Sequence, residues 1–247
     1  MKKHKLLSWL VQACRRLSVS TGGISFALPL LASGVISARA ATCVGGQWGS
    51  INYGSWTVYV DEWGSSAPCQ LCANGWGNWW GSGSWSGGGV KVYFHSQTNP
   101  RLPLNARYWC TTSFNVSSPA NTGAICYDWT YDLWTPGKVD EIMILESLYP
   151  GAGGGWGSKI ASNITLGGHA FDVWQANPGW NVIQFVPKQL GRTSGSEDLY
   201  GCMNWAYLNG RLRGNNFDEA SFGVEVTASN GWQTWTCNSF WLGWGTW

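Results

Sequence analysis

The chain has 247 residues, of which 15 are Lys or Arg and 13 are Asp or Glu. Six of the basic residues precede residue 41, so residues 41–247 carry nine basic and thirteen acidic side chains, a formal charge of −4. This segment lacks the basic excess that polyanion binding requires, which argues against a nucleic-acid partner. Its length suits one large all-β domain, since sandwiches of this class reach roughly 200–250 residues.

Residues 1–40 have the features of a secretory signal peptide. Lysines and arginines precede an apolar stretch from Ile24 to Ile36, and Ala38-Arg39-Ala40 places small residues at the cleavage site. The apolar stretch contains a proline and a glycine and is shorter than the roughly 20 residues that a spanning helix needs. We therefore expect a secreted, extracellular protein whose domain, residues 41–247, has no membrane partner.

The composition combines 20 Trp and 34 Gly with only 11% charged residues. So many indole rings predict a packed aromatic core together with some exposed rings, onto which the flat face of a sugar ring can stack. A neutral polymer therefore fits this chain better than a charged one.

Seven cysteines follow the signal peptide, and in an oxidising compartment they are expected to pair, with one left free or joined to another chain. They are Cys43, Cys69, Cys72, Cys110, Cys126, Cys202 and Cys237. The Cys69-x-x-Cys72 spacing is half of a zinc site, but no second pair completes it, so we expect no metal or cofactor.

Short segments of alternating hydrophobicity, separated by Gly, Asn, Ser and Pro, predict β-strands along the chain. They are residues 55–60, 90–94, 125–129, 141–145, 170–174, 181–186 and 222–226. One helix is predicted at residues 199–209, with Ser196 as its N-cap and Gly210 at its end. Many short strands and one helix predict a single all-β domain, a two-sheet antiparallel sandwich or jelly roll. Glycine-rich residues 81–89 and 151–157 are predicted to be surface loops bordering a cleft.

Two glutamates interrupt apolar strands. In residues 141–145, alternation places Glu141 on the face opposite Ile142 and Ile144, whose branched side chains belong in the core. In residues 222–226, the valines face one way and Glu225 the other. A carboxylate in the middle of an apolar strand costs free energy unless it is solvated or used. The pattern makes Glu141 and Glu225 candidates for a catalytic pair. The alternative is that each is a charged residue on a solvent-exposed face of the sheet.

Six segments, in order and at fitting distances, resemble glycoside hydrolase family 12 over nearly the whole of residues 41–247. They are Trp63-Gly64-Ser65-Ser66-Ala67, Tyr131-Asp132-Leu133-Trp134, Glu141-Ile142-Met143-Ile144, Thr165-Leu166-Gly167-Gly168, Phe185-Val186 and Phe222-Gly223-Val224-Glu225. The resemblance implies a concanavalin-like jelly roll and an endo-acting β-1,4-glucanase.

The same resemblance implies roles for individual residues. Glu141 is the nucleophile and Glu225 the general acid/base, while Asp132 hydrogen-bonds the nucleophile. Trp63 is a sugar-stacking platform on the non-reducing side of the cut, and Met143 lines the cleft. Retention of configuration implies two carboxyl groups about 5–5.5 Å apart. We expect Glu225 to hold its proton more tightly than Glu141, because one donates while the other attacks.

Three positions depart from the family pattern and bear on substrate preference. The tryptophan that usually follows Met-Ile is Leu145, the residue after the acid/base is Val226 rather than proline, and the substrate-binding asparagine two residues before Trp63 is Asp61.

The resemblance implies cleavage of cellulose or related β-glucans by a monomer. Its N-terminal disulfide joins Cys43 to Cys69 or Cys72, and spacing does not decide which. The alternatives are a xyloglucan-specific endoglucanase of the same family, a family 11 xylanase, and a non-catalytic, lectin-like sandwich.

Overall fold

The computed structural model describes residues 40–104, 108–148 and 154–246, all within one unit, Arg39–Trp247. Apart from Ala40, the expected signal peptide lies outside the described residues. Within the described ranges, no helix is both long and apolar enough to cross a membrane.

Seventeen strands and one α-helix make up the described part of the chain. The strands are β1 (Thr42–Gly45), β2 (Ser50–Tyr53), β3 (Trp56–Tyr59), β4 (Cys69–Gly75), β5 (Asn78–Gly83), β6 (Val92–Thr98), β7 (Leu102–Pro103), β8 (Tyr108–Ser117), β9 (Cys126–Trp134), β10 (Asp140–Leu145), β11 (Ser158–Leu166), β12 (His169–Ala176), β13 (Asn181–Pro187), β14 (Ser194–Asp198), β15 (Asn216–Phe217), β16 (Glu219–Ala228) and β17 (Gln233–Thr246). The helix is α1 (Leu199–Leu208), and a 3₁₀ turn covers Pro136–Lys138.

The strands form two stacked sheets. The large sheet has the order β11-β12-β13-β10-β9-β16-β6-β3-β2, and the small sheet has the order β1-β4-β5-β17-β8-β14. Strands β7 and β15 form a separate pair.

Aromatic side chains from both sheets meet in the core between them. The Trp79 and Trp129 ring centroids are 5.8 Å apart, and Phe222 lies 4.9 Å from Phe240 and 5.4 Å from Phe114. These are the separations at which aromatic rings pack favourably. The all-β sandwich expected from the alternating segments is therefore confirmed.

Every one of the seven predicted segments overlaps an observed strand, but one strand pair breaks the antiparallel rule. Strand β10 pairs with β13 in parallel, with Glu141 opposite Val182. Between these two strands the chain forms β11 and β12. Strand β12 runs antiparallel to β11, and β13 runs antiparallel to β12. Two reversals bring β13 back alongside β10 in the same sense.

The helix begins at a different cap from the one predicted. Asp198 is the N-cap, and its side chain accepts a hydrogen bond from the backbone N–H of Gly201 at 2.9 Å. Ser196 lies in β14, opposite Ser113 of β8, so the N-cap prediction is wrong. Strand pairing holds the chain extended for two more residues and delays the helix start. Gly210 follows the helix with φ +64°.

The first glycine-rich stretch is partly strand. Gly81 and Gly83 belong to β5, and a Cβ at Gly81 would lie 2.3 Å from the Phe94 ring. The loop prediction is therefore wrong for residues 81–83, where glycine lets a core ring approach the backbone. Residues 151–153 of the second stretch lie outside the described residues.

One disulfide joins Cys43 of β1 to Cys72 of β4, which are opposite each other in the strand register. Cys69 stands three residues before Cys72, so it faces the other side of β4 and approaches the Glu62 carboxylate at 3.8 Å. The expectation of general pairing is wrong within the described part. Cys69, Cys110, Cys126, Cys202 and Cys237 are free there, and all but the partly exposed Cys126 are buried.

Candidate active site

A cleft of about 730 Å³ lies on the face of the large sheet that points away from the small sheet. Strands β6, β16, β9, β10 and β13 supply its floor, and loops supply its walls. Its lining residues are Asp61, Trp63, Gly89, Val90, Tyr93, His95, Gln97, Asp128, Asp132, Trp134, Lys138, Glu141, Met143, Trp156, Trp180, Gln184, Glu219, Ser221 and Glu225.

Glu141 projects from β10 into this cleft, while Ile142 and Ile144 are fully buried in the core on the other side of the strand. The Trp180 indole N–H donates a 2.7 Å hydrogen bond to the Glu141 carboxylate. Burial raises the pKa of Glu141 to about 7. The Trp180 hydrogen bond and the Lys138 charge lower this pKa, and the negative charge of Glu219 raises it.

Glu225 reaches the same cleft from β16, with Val224 and Val226 buried on the opposite face. Its strand partner is Asp128 of β9. Burial raises the pKa of Asp128 well above its ordinary range, and the neighbouring Glu225 charge raises it further. Strand β9 separates the strands of the two glutamates, and the cleft contains both of them.

Asp132 lies on β9, opposite Met143 on one side and Ser221 on the other. Burial raises its pKa well above the ordinary range, and the charges of Glu141 and Glu225 add to that effect. Its Oδ1 atom is buried and has no hydrogen-bond partner among the described residues. The expected hydrogen bond from Asp132 to Glu141 stays a prediction, as does the order in which the two glutamates lose their protons.

The three expected substrate contacts all line the cleft. Trp63 is 47% exposed, which leaves its ring free for stacking. Met143 is buried, and its sulfur accepts a hydrogen bond from the Gln184 amide at 3.2 Å. Asp61 has φ 49°, a left-handed conformation that aspartate tolerates better than most residues, and burial raises its pKa.

Sequence reasoning missed an aromatic wall beside Glu141. The Trp134 and Trp180 ring centroids are 6.0 Å apart, and the Lys138 ammonium lies 4.8 Å from the Trp134 ring centroid. Lys138 also forms an ion pair with Glu219 across the cleft rim. Trp156, 53% exposed, lies on the same cleft. The high tryptophan content was the available signal, but no local pattern separates these rings from the core ones.

His95 belongs to the cleft floor. Its ring stacks on Tyr93 at 4.2 Å and on Tyr59 at 5.2 Å, and burial lowers its pKa. Gly223 is opposite His95 in the register, and a Cβ there would lie 2.1 Å from the Phe94 carbonyl oxygen. Glycine is thus required for β6 and β16 to approach this closely.

Asp140, the residue before Glu141, anchors the base of the site. It is fully buried, and its carboxylate accepts hydrogen bonds from the Asn181 amide and the Gly214 backbone N–H, each at 2.8 Å. Asn181 directly follows Trp180, so one carboxylate fixes both the strand that carries Glu141 and the residue next to its hydrogen-bond donor. In the described ranges, no group of His, Cys, Asp and Glu side chains could hold a metal ion.

Comparison with known proteins identifies the fold. No family model matches the chain, and no curated protein sequence does. The xyloglucanase domain of NopAA, a type three effector from Sinorhizobium fredii solved with cellobiose, superposes with TM-score 0.74 at 23% identity, covering 83% of this chain and 99% of that one. Trichoderma harzianum endoglucanase 3 from family GH12 gives TM-score 0.72 at 22% identity, over 84% and 99% of the two chains. The family 12 xyloglucanase from Bacillus licheniformis gives 0.69 at 17%, over 83% and 100%. At these identities the likeness shows a common fold, the jelly-roll sandwich.

Proposed function

We propose that this chain is a retaining endo-β-1,4-glucanase of glycoside hydrolase family 12, which cuts internal bonds of cellulose or related β-glucans. The observation that carries the proposal is the presence of Glu141 and Glu225 in one tryptophan-walled cleft. The fold shared with family 12 endoglucanases and xyloglucanases supports it, as do the six resembling sequence segments.

In the proposed reaction, the Glu141 carboxylate attacks the anomeric carbon while the Glu225 carboxyl gives its proton to the leaving oxygen. The glycosidic bond breaks as the glycosyl ester forms. Glu225, now ionised, then takes a proton from water, whose oxygen displaces Glu141 from the sugar. This double displacement retains configuration and requires the carboxyl groups to lie about 5–5.5 Å apart.

Two neighbours are suited to control the ionisation of the nucleophile. The Trp180 N–H stabilises the Glu141 carboxylate, which opposes the effect of burial on its pKa. Burial and the neighbouring carboxylates raise the pKa of Asp132 well above its ordinary range, which favours the protonated form that could donate a hydrogen bond to Glu141. A protonated neighbour adds no negative charge beside the nucleophile.

The cleft walls are suited to a neutral sugar chain. Exposed faces of Trp63, Trp156 and Trp180 offer stacking surfaces on either side of the floor. Met143 and Asp61 line the same cleft and offer an apolar contact and a hydrogen-bonding group. A row of platforms along a surface cleft favours binding to the middle of a chain, hence endo cleavage.

Release of reducing ends from carboxymethylcellulose, mixed-linkage glucan, xyloglucan and xylan tests the proposal. We expect activity on the first two, which Glu141→Gln and Glu225→Gln each abolish, with retained configuration in the first products by NMR. Asp172→Asn, a carboxylate outside the cleft, is the matched control and should remain active. Activity on xyloglucan alone would favour the xyloglucan-specific alternative, and activity on xylan alone the family 11 reading. Binding without cleavage would favour the lectin-like sandwich and contradict the proposal.

We further propose that the enzyme is secreted and acts as a monomer. N-terminal sequencing of the exported protein should find Ala41 as the first residue, following cleavage after Ala40. Size-exclusion chromatography should give the mass of one domain. A retained N-terminus or a stable dimer would contradict these two statements.

A further inference from the structure

The outer face of the small sheet, away from both the core and the cleft, carries two tryptophans side by side. Trp241 of β17 is 47% exposed, and Trp109 of β8 is half-buried. We call these two residues, with Gly243 and Gly245 of β17, the outer tryptophan face. No residue of β1, β4, β5, β8 or β17 is charged, although several of their side chains face solvent.

Glycines beneath the rings make this arrangement possible. A Cβ at Gly243 would lie 2.3 Å from the Trp241 ring and 3.0 Å from the Trp109 ring, so both indoles meet over this residue. A Cβ at Gly245 would lie 3.0 Å from the Trp109 indole nitrogen. Any larger residue at Gly243 would displace a ring. The two indoles therefore rest against bare backbone and form one continuous apolar surface.

Hydroxyl groups lie directly beside the rings. In the register of β8 and β17, Trp241 is opposite Ser113 and Gly243 is opposite Thr111. Ser113 is exposed and Thr111 is partly exposed. Apolar rings flanked by neutral hydroxyls match a pyranose, which has an apolar face and a hydroxyl-bearing edge. Asp198 of β14, opposite Thr111 in the register, brings a carboxylate to the edge of this face, which would repel a polyanion rather than attract it.

We propose that the outer tryptophan face binds a neutral β-glucan chain by stacking sugar rings on Trp241 and Trp109, without cleaving it. The existence of this site is independent of catalysis, whereas the identity of the polymer rests on the proposed function. Since the face lies on the opposite side of the sandwich from the cleft, it holds a different segment or a different chain from the one in the cleft. It would keep the protein on its substrate between cuts.

Affinity electrophoresis in gels that contain mixed-linkage glucan tests this site. The protein carries Glu141→Gln throughout, so that the polymer is not digested. We expect Trp241→Ala to weaken retention about tenfold, equivalent to about 1.4 kcal/mol, and Trp109→Ala to act in the same direction. Trp232→Ala is the matched control, since Trp232 is 55% exposed but precedes β17 at its far end.

A second measurement separates this site from the cleft. With Glu141 intact, Trp241→Ala should cleave soluble cellotetraose with unchanged kcat/KM, which also shows that the variant is folded. Unchanged gel retention of Trp241→Ala would overturn the inference. If retention is unaffected and sedimentation shows that the substitution converts a dimer to a monomer, the face is a contact between copies instead. Retention that depends on Trp241 in a protein without hydrolytic activity would leave this inference standing and refute the proposed function.

Discussion

Replacing Glu141 with glutamine should abolish hydrolysis and, above neutral pH, stabilise the fold. Glu141 is only 7% exposed, and burial raises the pKa of its carboxyl group from the ordinary 4.5 to about 7. That difference means that the ionised group costs the folded state about 3 kcal/mol. Glutamine keeps the shape and an oxygen that can accept the Trp180 N–H, but it carries no charge. The variant should therefore gain up to about 3 kcal/mol at pH 8.

The sign follows from proton binding. Between pH 4.5 and about 7 the folded protein holds more protons at Glu141 than the unfolded chain does. The contribution of this site to the free energy of unfolding therefore falls as the pH rises through that window. The cost is absent below pH 4.5 and complete above pH 7, so parent and variant should differ little in acid and diverge towards pH 8.

Urea unfolding followed by tryptophan fluorescence at pH 5, 6.5 and 8 measures this difference. Asp172→Asn is the control with the opposite electrostatics, since Lys159 and Lys188 lower the pKa of Asp172 to about 2. Its carboxylate is ionised at all three pH values, so its loss should destabilise the protein by the same amount at each. If Glu141→Gln raises the free energy of unfolding equally at pH 5 and pH 8, or lowers it at pH 8, the assignment of a burial cost to the Glu141 carboxylate is refuted.

Three further changes test the surroundings of the site and the fold. Trp180→Phe removes the N–H that lowers the pKa of Glu141, so the acidic limb of the kcat/KM profile should move upward by roughly half to one pH unit; an unmoved limb would remove Trp180 from this role. Asp140→Asn replaces a hydrogen-bond acceptor with an N–H group that faces other donors, and it should lower the free energy of unfolding in urea by about 3 kcal/mol. A decrease of less than about 1 kcal/mol would contradict the anchoring function of Asp140. Cys43→Ser opens a disulfide with a sequence separation of 29 and should cost about 3–4 kcal/mol, while Cys126→Ser, at a free thiol, should cost less than about 0.5 kcal/mol.

The alternation of a strand was enough to place the two glutamates on the cleft side. In β10, Glu141 is followed by Ile142 and Ile144 on the opposite face, and in β16, Glu225 lies between Val224 and Val226. These branched aliphatic side chains belong in the core. Because successive side chains in a strand point to opposite faces of the sheet, burying these neighbours in the core directs the glutamates to the outer face. This inference needed no knowledge of the partner strands, which is why it could be made from the sequence.

The groups around the glutamates could not be predicted, because long-range register brings them in. Trp180 follows a turn and reaches Glu141 only because β13 returns parallel to β10. Asp128 becomes a neighbour of Glu225 through the pairing of β9 with β16. Likewise, the disulfide partner of Cys43 was decided by which face of β4 each cysteine occupies.

The cleft concentrates buried acidic side chains. Asp132 and Asp128 are buried in the same cleft as the two glutamates, and burial together with the neighbouring carboxylates raises the pKa of each well above its ordinary range. Elsewhere a buried acid such as Glu146 is paired with Arg192. Within the cleft, Lys138 is instead paired with Glu219 at the rim. A sequence selected for stability alone would replace these acids with apolar residues, as it does on the core face of the same strands. Their presence in one cleft walled by tryptophan rings supports the proposed reaction, which needs one carboxylate and one carboxylic acid.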